Sequence, residues 1–445
     1  MSIPSVTTSS PAIFGPTRKG TVGASLLSKI SSDFGAYFLF AFVVYGILVI
    51  KFITSSNIDQ NFLFWFYSML ITSYIFSRFI LSYFHKSIPV NMEYEPTVSF
   101  VVPAKNEGDN IAETLFRFSE VNYPLNKIEV ITINDGSTDN TLEEMEYAAS
   151  ELRKSIKRVE VIDWKVNRGK RQGMAEGVKL AKGEIVIFVD SDSFVEPGCV
   201  RHLVKYFAFG EVGAVSGHTD VYNRDTNLLT QMQSLRYYIA FKVYKAAESV
   251  FGIVTCCPGC CSAYRREYLN EFIDEWLRQK FLGKECTFGD DRSLTNYMIR
   301  KYRAVYSPEA RAHTVVPDTF RKYMIQQQRW KKSWVRETFI ASSFIWKKNP
   351  IAAFFFYAYV FLAFVSPIVF VRALIWKPYT DQVVPFAYLG GLLLMLLMHG
   401  LYYRIMVGRK SFALAVVSFW FYTVVLMWQL PWAFVTIADT KWGTR

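Results

Sequence analysis

Apolar residues gather toward the two ends of this chain, while its middle mixes short apolar runs with polar stretches. Residues 34–53 and 62–84 are long runs almost free of charge, each enough to cross about 30 Å of hydrocarbon as a helix. Arg78, near the end of the second run, is expected to reach back to the membrane surface, with a functional charge inside the membrane as the alternative. From about residue 95 to 318 the pattern changes. Short β-rich runs at 98–103, 128–133, 158–163 and 185–189 alternate with helical patterns. Their continuous apolar character suits strands buried on both faces, so the spacing predicts an α/β domain with a parallel sheet covered by helices. Apolar runs return at 351–375, 385–403 and 412–437. Pro431 in the last leaves two readings open, a full span or a broken, re-entrant helix.

The flanking segments set the orientation. Residues 1–33 are rich in Ser, Thr, Gly and Pro and read as a flexible cytosolic tail. They are too long and polar to begin a cleaved signal peptide, so the first apolar run is expected to stay in the mature protein. Arg404, Arg409 and Lys410 separate the last two runs, whereas 376–384 holds one Lys and one Asp. The positive-inside rule therefore puts the 404–410 loop, the tail and the α/β domain in the cytosol. Residues 319–346 form a further unit. Phe320, Tyr323, Trp330 and Trp334 fall on one helical stripe, and Gln326, Arg329, Ser333 and Arg336 on another. That pattern fits a helix lying in the membrane interface, with an ordinary surface helix as the alternative. Residues 228–250 repeat the pattern more weakly.

Composition agrees with a membrane protein. The 445 residues are 51% hydrophobic and only 20% charged, below the roughly 25% charged residues of soluble domains. This excludes overall disorder, and six cysteines are too few for a disulfide scaffold. A net charge of +12 suits anionic lipid, nucleic acid or a phosphate-bearing substrate. The excess is spread over membrane-flanking loops and one basic loop instead of one face, which disfavours a nucleic-acid partner.

Five local patterns carry chemistry. Phe188-Val189-Asp190-Ser191-Asp192 ends an apolar strand in two carboxylates at the sheet edge where α/β proteins bind ligands. Such a pair suits Mg²⁺ or Mn²⁺, although two solvated loop acids would read the same alone. Asn134-Asp135-Gly136 ends another strand at that edge, with Asp135 placed for a base or ribose, or simply a capped turn. Arg168, Lys170 and Arg171 surround Gly169 and suit diphosphate oxygens, or form a solvated basic loop. Gly289-Asp290-Asp291-Arg292 precedes a helical pattern, where neighbouring charges can tune a general base. Gln326-Gln327-Gln328-Arg329-Trp330 then adds amide donors, a cation and an aromatic plate.

In this order, the series resembles the processive, membrane-embedded family-2 glycosyltransferases with a Gln-x-x-Arg-Trp motif. The resemblance implies a cytosolic GT-A-type domain inserted between N- and C-terminal transmembrane helices, with amphipathic interface helices. Val101-Val102-Pro103-Ala104-Lys105-Asn106-Glu107 looks like the family's first nucleotide-binding strand and loop. Asp135 matches its uridine-binding acid, and Asp190 and Asp192 its metal-binding pair. Asp291 matches its catalytic base, with Asp290 beside it, while Gln326, Arg329 and Trp330 match the acceptor and diphosphate site.

Within that family the likeness is nearest to class I hyaluronan synthases, through Phe281-Leu282-Gly283, Gly289–Asn296, Arg329-Trp330-Lys331-Lys332-Ser333-Trp334 and Trp442-Gly443-Thr444-Arg445. It implies that Trp442 and Arg445 help close the nucleotide pocket, which favours re-entry for 412–437, and that Cys286 lines the acceptor site. Cys256-Cys257-Pro258-Gly259-Cys260-Cys261 and Val315-Val316-Pro317-Asp318-Thr319 look more like chitin-oligosaccharide synthases. Zinc binding by those cysteines lacks a second pair or a neighbouring His, and small residues lining a sugar pocket are the preferred reading. The implied activity is hyaluronan synthesis from UDP-GlcNAc and UDP-glucuronate with Mg²⁺ or Mn²⁺, at the plasma membrane and without an obligatory protein partner. Chitin synthesis from UDP-GlcNAc alone is the alternative.

Overall fold

The computed structural model describes residues 24–55, 58–91, 93–382, 384–408 and 412–439. The strands form where the apolar runs predict them: β1 (Val98–Ala104), β2 (Ile128–Asp135), β3 (Arg158–Trp164) and β4 (Ile185–Phe188). Further along lie β5 (Ser193–Val195), β6 (Val212–Val221) and β7 (Ser262–Arg265). A small hairpin follows, β8 (Lys280–Phe281) with β9 (Lys284–Glu285), and then β10 (Arg303–Thr314). Eight strands make one sheet in the order β3-β2-β1-β4-β7-β6-β10-β5. The first four are parallel, β7 runs against both neighbours, and β6 pairs parallel with β10.

Side chains alternate across this sheet, as its two-residue period requires. Val98, Phe100 and Val102 join one core with Leu115, Met145 and Leu203. Val101, Ile131 and Val186 join the other with Met174, Trp276 and Met298. Every residue of β1, β2 and β4 is buried, and most are apolar; the polar Ser99, Glu129 and Thr132 among them are hydrogen-bonded. Parallel pairing sets Ala104 opposite Asn134, and Asn134 opposite Asp163. The strands therefore deliver Ala104, Asp135 and, just past β4, Asp190 to one edge.

Among the described residues, four helices are long and apolar enough to cross a membrane: Phe62–Phe84, Pro350–Asp381, Tyr388–Val407 and Ala413–Val435. Helices of this length and composition flanking the α/β domain mark a membrane protein. A shorter apolar stretch, Phe38–Ile53, belongs to the helix Ala24–Ser55. That helix corrects the expected tail at 24–33, where Leu26, Leu27 and Ile30 continue the helical spacing; residues 1–23 lie outside the described part. Arg78 does not reach the surface. It is buried over the rings of Phe355 and Tyr74, at 4.1 and 4.9 Å, because those aromatic faces supply local compensation for its charge.

The run 412–437 stays helical but changes type along its length, from Phe412–Trp420 through a π-turn Phe421–Val425 and a 3₁₀ turn Leu426–Trp428 to Gln429–Val435, which holds Pro431. Both ends meet the catalytic domain. Ala415 packs with Leu235 and Ile239, and Lys284 Nζ donates to the Ala438 carbonyl at 2.9 Å. The helix Phe320–Ser342 is covered on both sides: Tyr323 and Trp334 are buried, as are Ser333, Arg336 and Glu337. Ser333 and Arg336 of its polar stripe thus face protein, while Gln326 and Arg329 are half-buried.

Candidate active site

The site begins at the C-terminal edge of β1, β2 and β4. Ala104 is buried, and the loop after it is knitted to the turn after β2. The Asn106 N–H donates to Ser137 Oγ at 3.0 Å, the Thr138 N–H donates to Asn106 Oδ1 at 2.9 Å, and the buried Glu107 donates its N–H to Thr141 Oγ1 at 2.8 Å. Asp135 is also buried. Its carboxylate accepts the backbone N–H groups of Arg168 at 2.6 Å and Gly169 at 2.9 Å. Burial raises the Asp135 pKa, and these two N–H groups oppose that rise. Asp135 therefore fixes the basic loop, while the Arg168 guanidinium lies 4.7 Å from the Trp164 ring centre.

Lys170 opens the next helix and puts its ammonium on the Asp190 carboxylate. Burial works against that charge, but Asp190, Asp291 and Asp290 outweigh it and hold the lysine above its ordinary pKa. Asp291 is raised, first by burial and then by Asp190, with Lys170 pulling the other way. A base with a raised pKa binds a proton more readily, which suits deprotonation of a sugar hydroxyl.

Gly259 is what lets these groups meet. A Cβ there would lie 2.7 Å from Asp190 Oδ1 and 3.1 Å from Asp291 Oδ1, so only glycine leaves room for both carboxylates. Its backbone N–H also donates to Asp291. Cys260 follows, with Sγ 3.6 Å from Asp190 Oδ2; burial pushes this thiol well up, with Asp190 and Asp192 adding to the effect. Asp192 Oδ1 lies 3.4 Å from Thr314 Oγ1. Among the described residues no set of three or more His, Cys, Asp and Glu is arranged to hold a metal. Asp190 and Asp192 nevertheless offer oxygen donors of the kind Mg²⁺ and Mn²⁺ prefer, and Lys170 already marks a cationic position beside them.

Arg171 is placed differently from the expectation. Its Nε donates to Asp290 Oδ1 at 2.8 Å, and its Nη1 donates to the Trp276 carbonyl and to Gln279 Oε1. Both partners are buried, so Arg171 cannot also serve a diphosphate at the sheet edge, and Asp290 cannot act as a free acid. Consecutive helical residues point about 100° apart, which separates Arg171 from Lys170 and Asp290 from Asp291.

The motif on Phe320–Ser342 divides as well. Trp330 is partly exposed, 6.4 Å from the Tyr237 ring, while Gln326 lies beside Gln327. Arg329 lines a cavity of about 650 Å³ with Phe288, Gln328, Lys332, Trp428 and Trp432. Cys286 is buried, its N–H donating to the Gln279 carbonyl at 3.3 Å, and burial raises its thiol while Arg336 and Arg171 lower it. Trp442 and Arg445 lie outside the described residues. Tyr237, Gln279 and Glu337 had no local motif to announce them; Tyr237 sat within the weaker amphipathic stretch 228–250.

Residues 99–273 match the glycosyl transferase family 2 model. A hyaluronan synthase of Streptococcus pyogenes is 32% identical over 382 residues, covering 85% of this chain and 90% of that one. An N-acetylglucosaminyltransferase of Rhizobium meliloti is 33% identical over 295 residues, 65% of this chain and 68% of that one. A solved mannosyltransferase from Pyrobaculum calidifontis, in complex with GDP-Man and Mn²⁺, shares the fold at a TM-score of 0.56 and 20% identity, covering 84% of this chain and 98% of that one. The GT-A-type sheet, its acidic edge and these relatives together show that the chain belongs to the family-2 glycosyltransferases, in their hyaluronan synthase-like class of UDP-sugar enzymes.

Proposed function

We propose that this enzyme polymerises hyaluronan from UDP-GlcNAc and UDP-glucuronate and passes the chain outward between its helices. One observation carries the choice of product. A cavity of about 440 Å³ lies between the catalytic domain and the apolar helices, lined by Arg78, Arg236, Lys245, Arg292 and Lys331 but by one acid, Glu248. No salt bridge joins those five cations to a carboxylate among the described residues. Tyr74, Tyr244, Trp334, Tyr359 and Tyr422 complete its walls. Arg292, which lines this cavity, follows Asp291 in the helix Asp290–Lys301. Aromatic plates with unbalanced cations suit a sugar polymer bearing carboxylates better than a neutral one.

In this reading Asp135 and the basic loop bind the uridine, Lys170 the diphosphate, and Ala104 and Glu107 shape the nucleotide loop. Asp190 and Asp192 would hold Mg²⁺ or Mn²⁺, which when bound neutralises charge on the leaving diphosphate. The Mn²⁺ named with the structural neighbour supports that class of ion. Asp291 takes the acceptor proton as that oxygen attacks the anomeric carbon opposite the departing UDP, giving inversion. Arg329 stabilises the leaving group, Trp330 stacks on the acceptor, and Gln326 and Cys286 border it. Trp442 and Arg445 would close the pocket, an arrangement that requires 412–437 to re-enter with the catalytic domain in the cytosol at the plasma membrane. The contacts of Ala415 and Ala438 with the domain support that topology.

Chitin or a chitin oligosaccharide is the second reading, favoured by the N-acetylglucosaminyltransferase relative. Incubating purified protein with each UDP-sugar alone and with both decides between them. Polymer is expected only with both, and polymer from UDP-GlcNAc alone overturns the hyaluronan assignment.

A further inference from the structure

A buried polar chain runs from the donor loop to the helix Phe320–Ser342, and the reaction as described above makes no use of it. Its hub is Gln279, which is 7% exposed. Gln279 Oε1 accepts from Arg171 Nη1 at 3.1 Å and from Ser293 Oγ, while its Nε2 donates to Glu337 Oε1 at 3.2 Å. Glu337 is 1% exposed and also accepts Arg336 Nε at 2.8 Å and Asn296 Nδ2 at 3.0 Å. Arg336 in turn donates to the Phe288 carbonyl, just before Gly289-Asp290-Asp291.

The spacing on the helix Asp290–Lys301 gives this network a direction. Asp290, Ser293 and Asn296 recur every third residue, so they share one face. Arg171, Gln279 and Glu337 grip that face. Asp291, one residue on, points away from it toward Gly259. Gly289 is wedged in place too: its φ is +78°, and a Cβ there would meet Ser333 Oγ at 1.9 Å. The helix that carries the proposed base is thus clamped from the donor side by Arg171 and from the acceptor side by Glu337. Two cations and two carboxylates are buried to do this, although apolar packing of similar volume often costs a protein less.

We infer that Gln279 and Glu337 are positioning residues, which join the donor loop, the base helix and the acceptor helix into one unit and so set where the Asp291 carboxylate sits. This rests on reading Asp291 as the base. The test uses full-length protein with Gln279→Leu, the isosteric Glu337→Gln and the double variant. The measurements are UDP release, KM for each UDP-sugar, the thermal midpoint, and calorimetry with UDP and Mn²⁺. Each single variant is expected to lose about 10- to 100-fold in kcat, as small misplacements of reacting groups do, with UDP affinity and KM within about twofold of the parent. The double variant is expected to be no worse than the poorer single one, because both break one linkage.

Unchanged kcat in Glu337→Gln overturns the inference, and so does UDP affinity or thermal midpoint falling in step with kcat. If Gln279→Leu does not fold, Glu337→Gln alone decides. Asp291→Asn, run in parallel, separates the two ideas. Full activity there overturns the base assignment, whereas an inactive Asp291→Asn beside fully active positioning variants overturns only the inference.

Discussion

Two charged regions of this enzyme follow opposite rules. Around the helix Asp290–Lys301, Arg171 meets Asp290, and Arg336 meets Glu337, each cation buried against a carboxylate and the two pairs linked through Gln279. In the cavity beside it, Arg78, Arg236, Lys245, Arg292 and Lys331 surround a single acid. Balanced charges fix geometry and need nothing from outside. Unbalanced ones raise the energy of the empty state, and an anion relieves them. Lys331 shows that cost directly: burial, with Arg236 and Arg292 nearby, lowers its pKa to about 8.

The comparison can be broken at several points. The largest effect is expected at the junction of the two regions, where Asp291→Asn should lower kcat by about 100- to 10,000-fold, the usual contribution of a general base. UDP binding should survive, as calorimetry with Mn²⁺ would measure. On the balanced side, Arg171→Met strands Asp290 without a partner. It should cost about 3–5 kcal/mol of stability, read from denaturant unfolding in detergent, because an unpaired buried charge remains. Gly259→Ala should lower kcat by about 10- to 100-fold, since its Cβ would push Asp190 and Asp291 apart. A parent-like rate there would show that the two carboxylates need not approach.

On the unbalanced side the signs reverse. Lys331→Met should leave the empty protein at least as stable, while weakening binding of hyaluronan oligosaccharides about tenfold, the worth of one charged hydrogen bond. Equal binding of neutral chitin oligosaccharides by parent and variant would sharpen the contrast. The smallest effect is on pH. A lysine with a lowered pKa loses its proton as pH rises through that value, so its attraction for a carboxylate is present below about 8 and fades above it. Oligosaccharide affinity should fall about fourfold from about pH 7 to about pH 8.5, and Lys331→Met should flatten that slope.

Much of this was legible along the chain. The runs at 98–103, 128–133, 158–163 and 185–189 announced β1 to β4, because their β-rich, mainly apolar composition suits strands of a sheet covered by helices. Asp135, Asp190 and Asp291 were legible because each follows a local signal, a strand end or a helix start. Arg171 was misread for a related reason: one residue of helix turned it from the diphosphate edge into the core, and neighbours in sequence need not share a face. Arg78 was misread because the nearer of the two rings that hold it, Phe355, comes from a helix distant in the chain, while Tyr74 lies one turn back on its own helix.

By itself, then, the sequence determined the membrane character, the parallel half of the sheet and the acids at its edge, all consequences of local periodicity and composition. Tertiary structure alone decided which charges were spent on each other and which were left for a ligand. Gly259, Tyr237, Gln279 and Glu337 gained their places that way. Electrostatic balance depends on distance through space, and chain separation carries no information about it until the fold has closed.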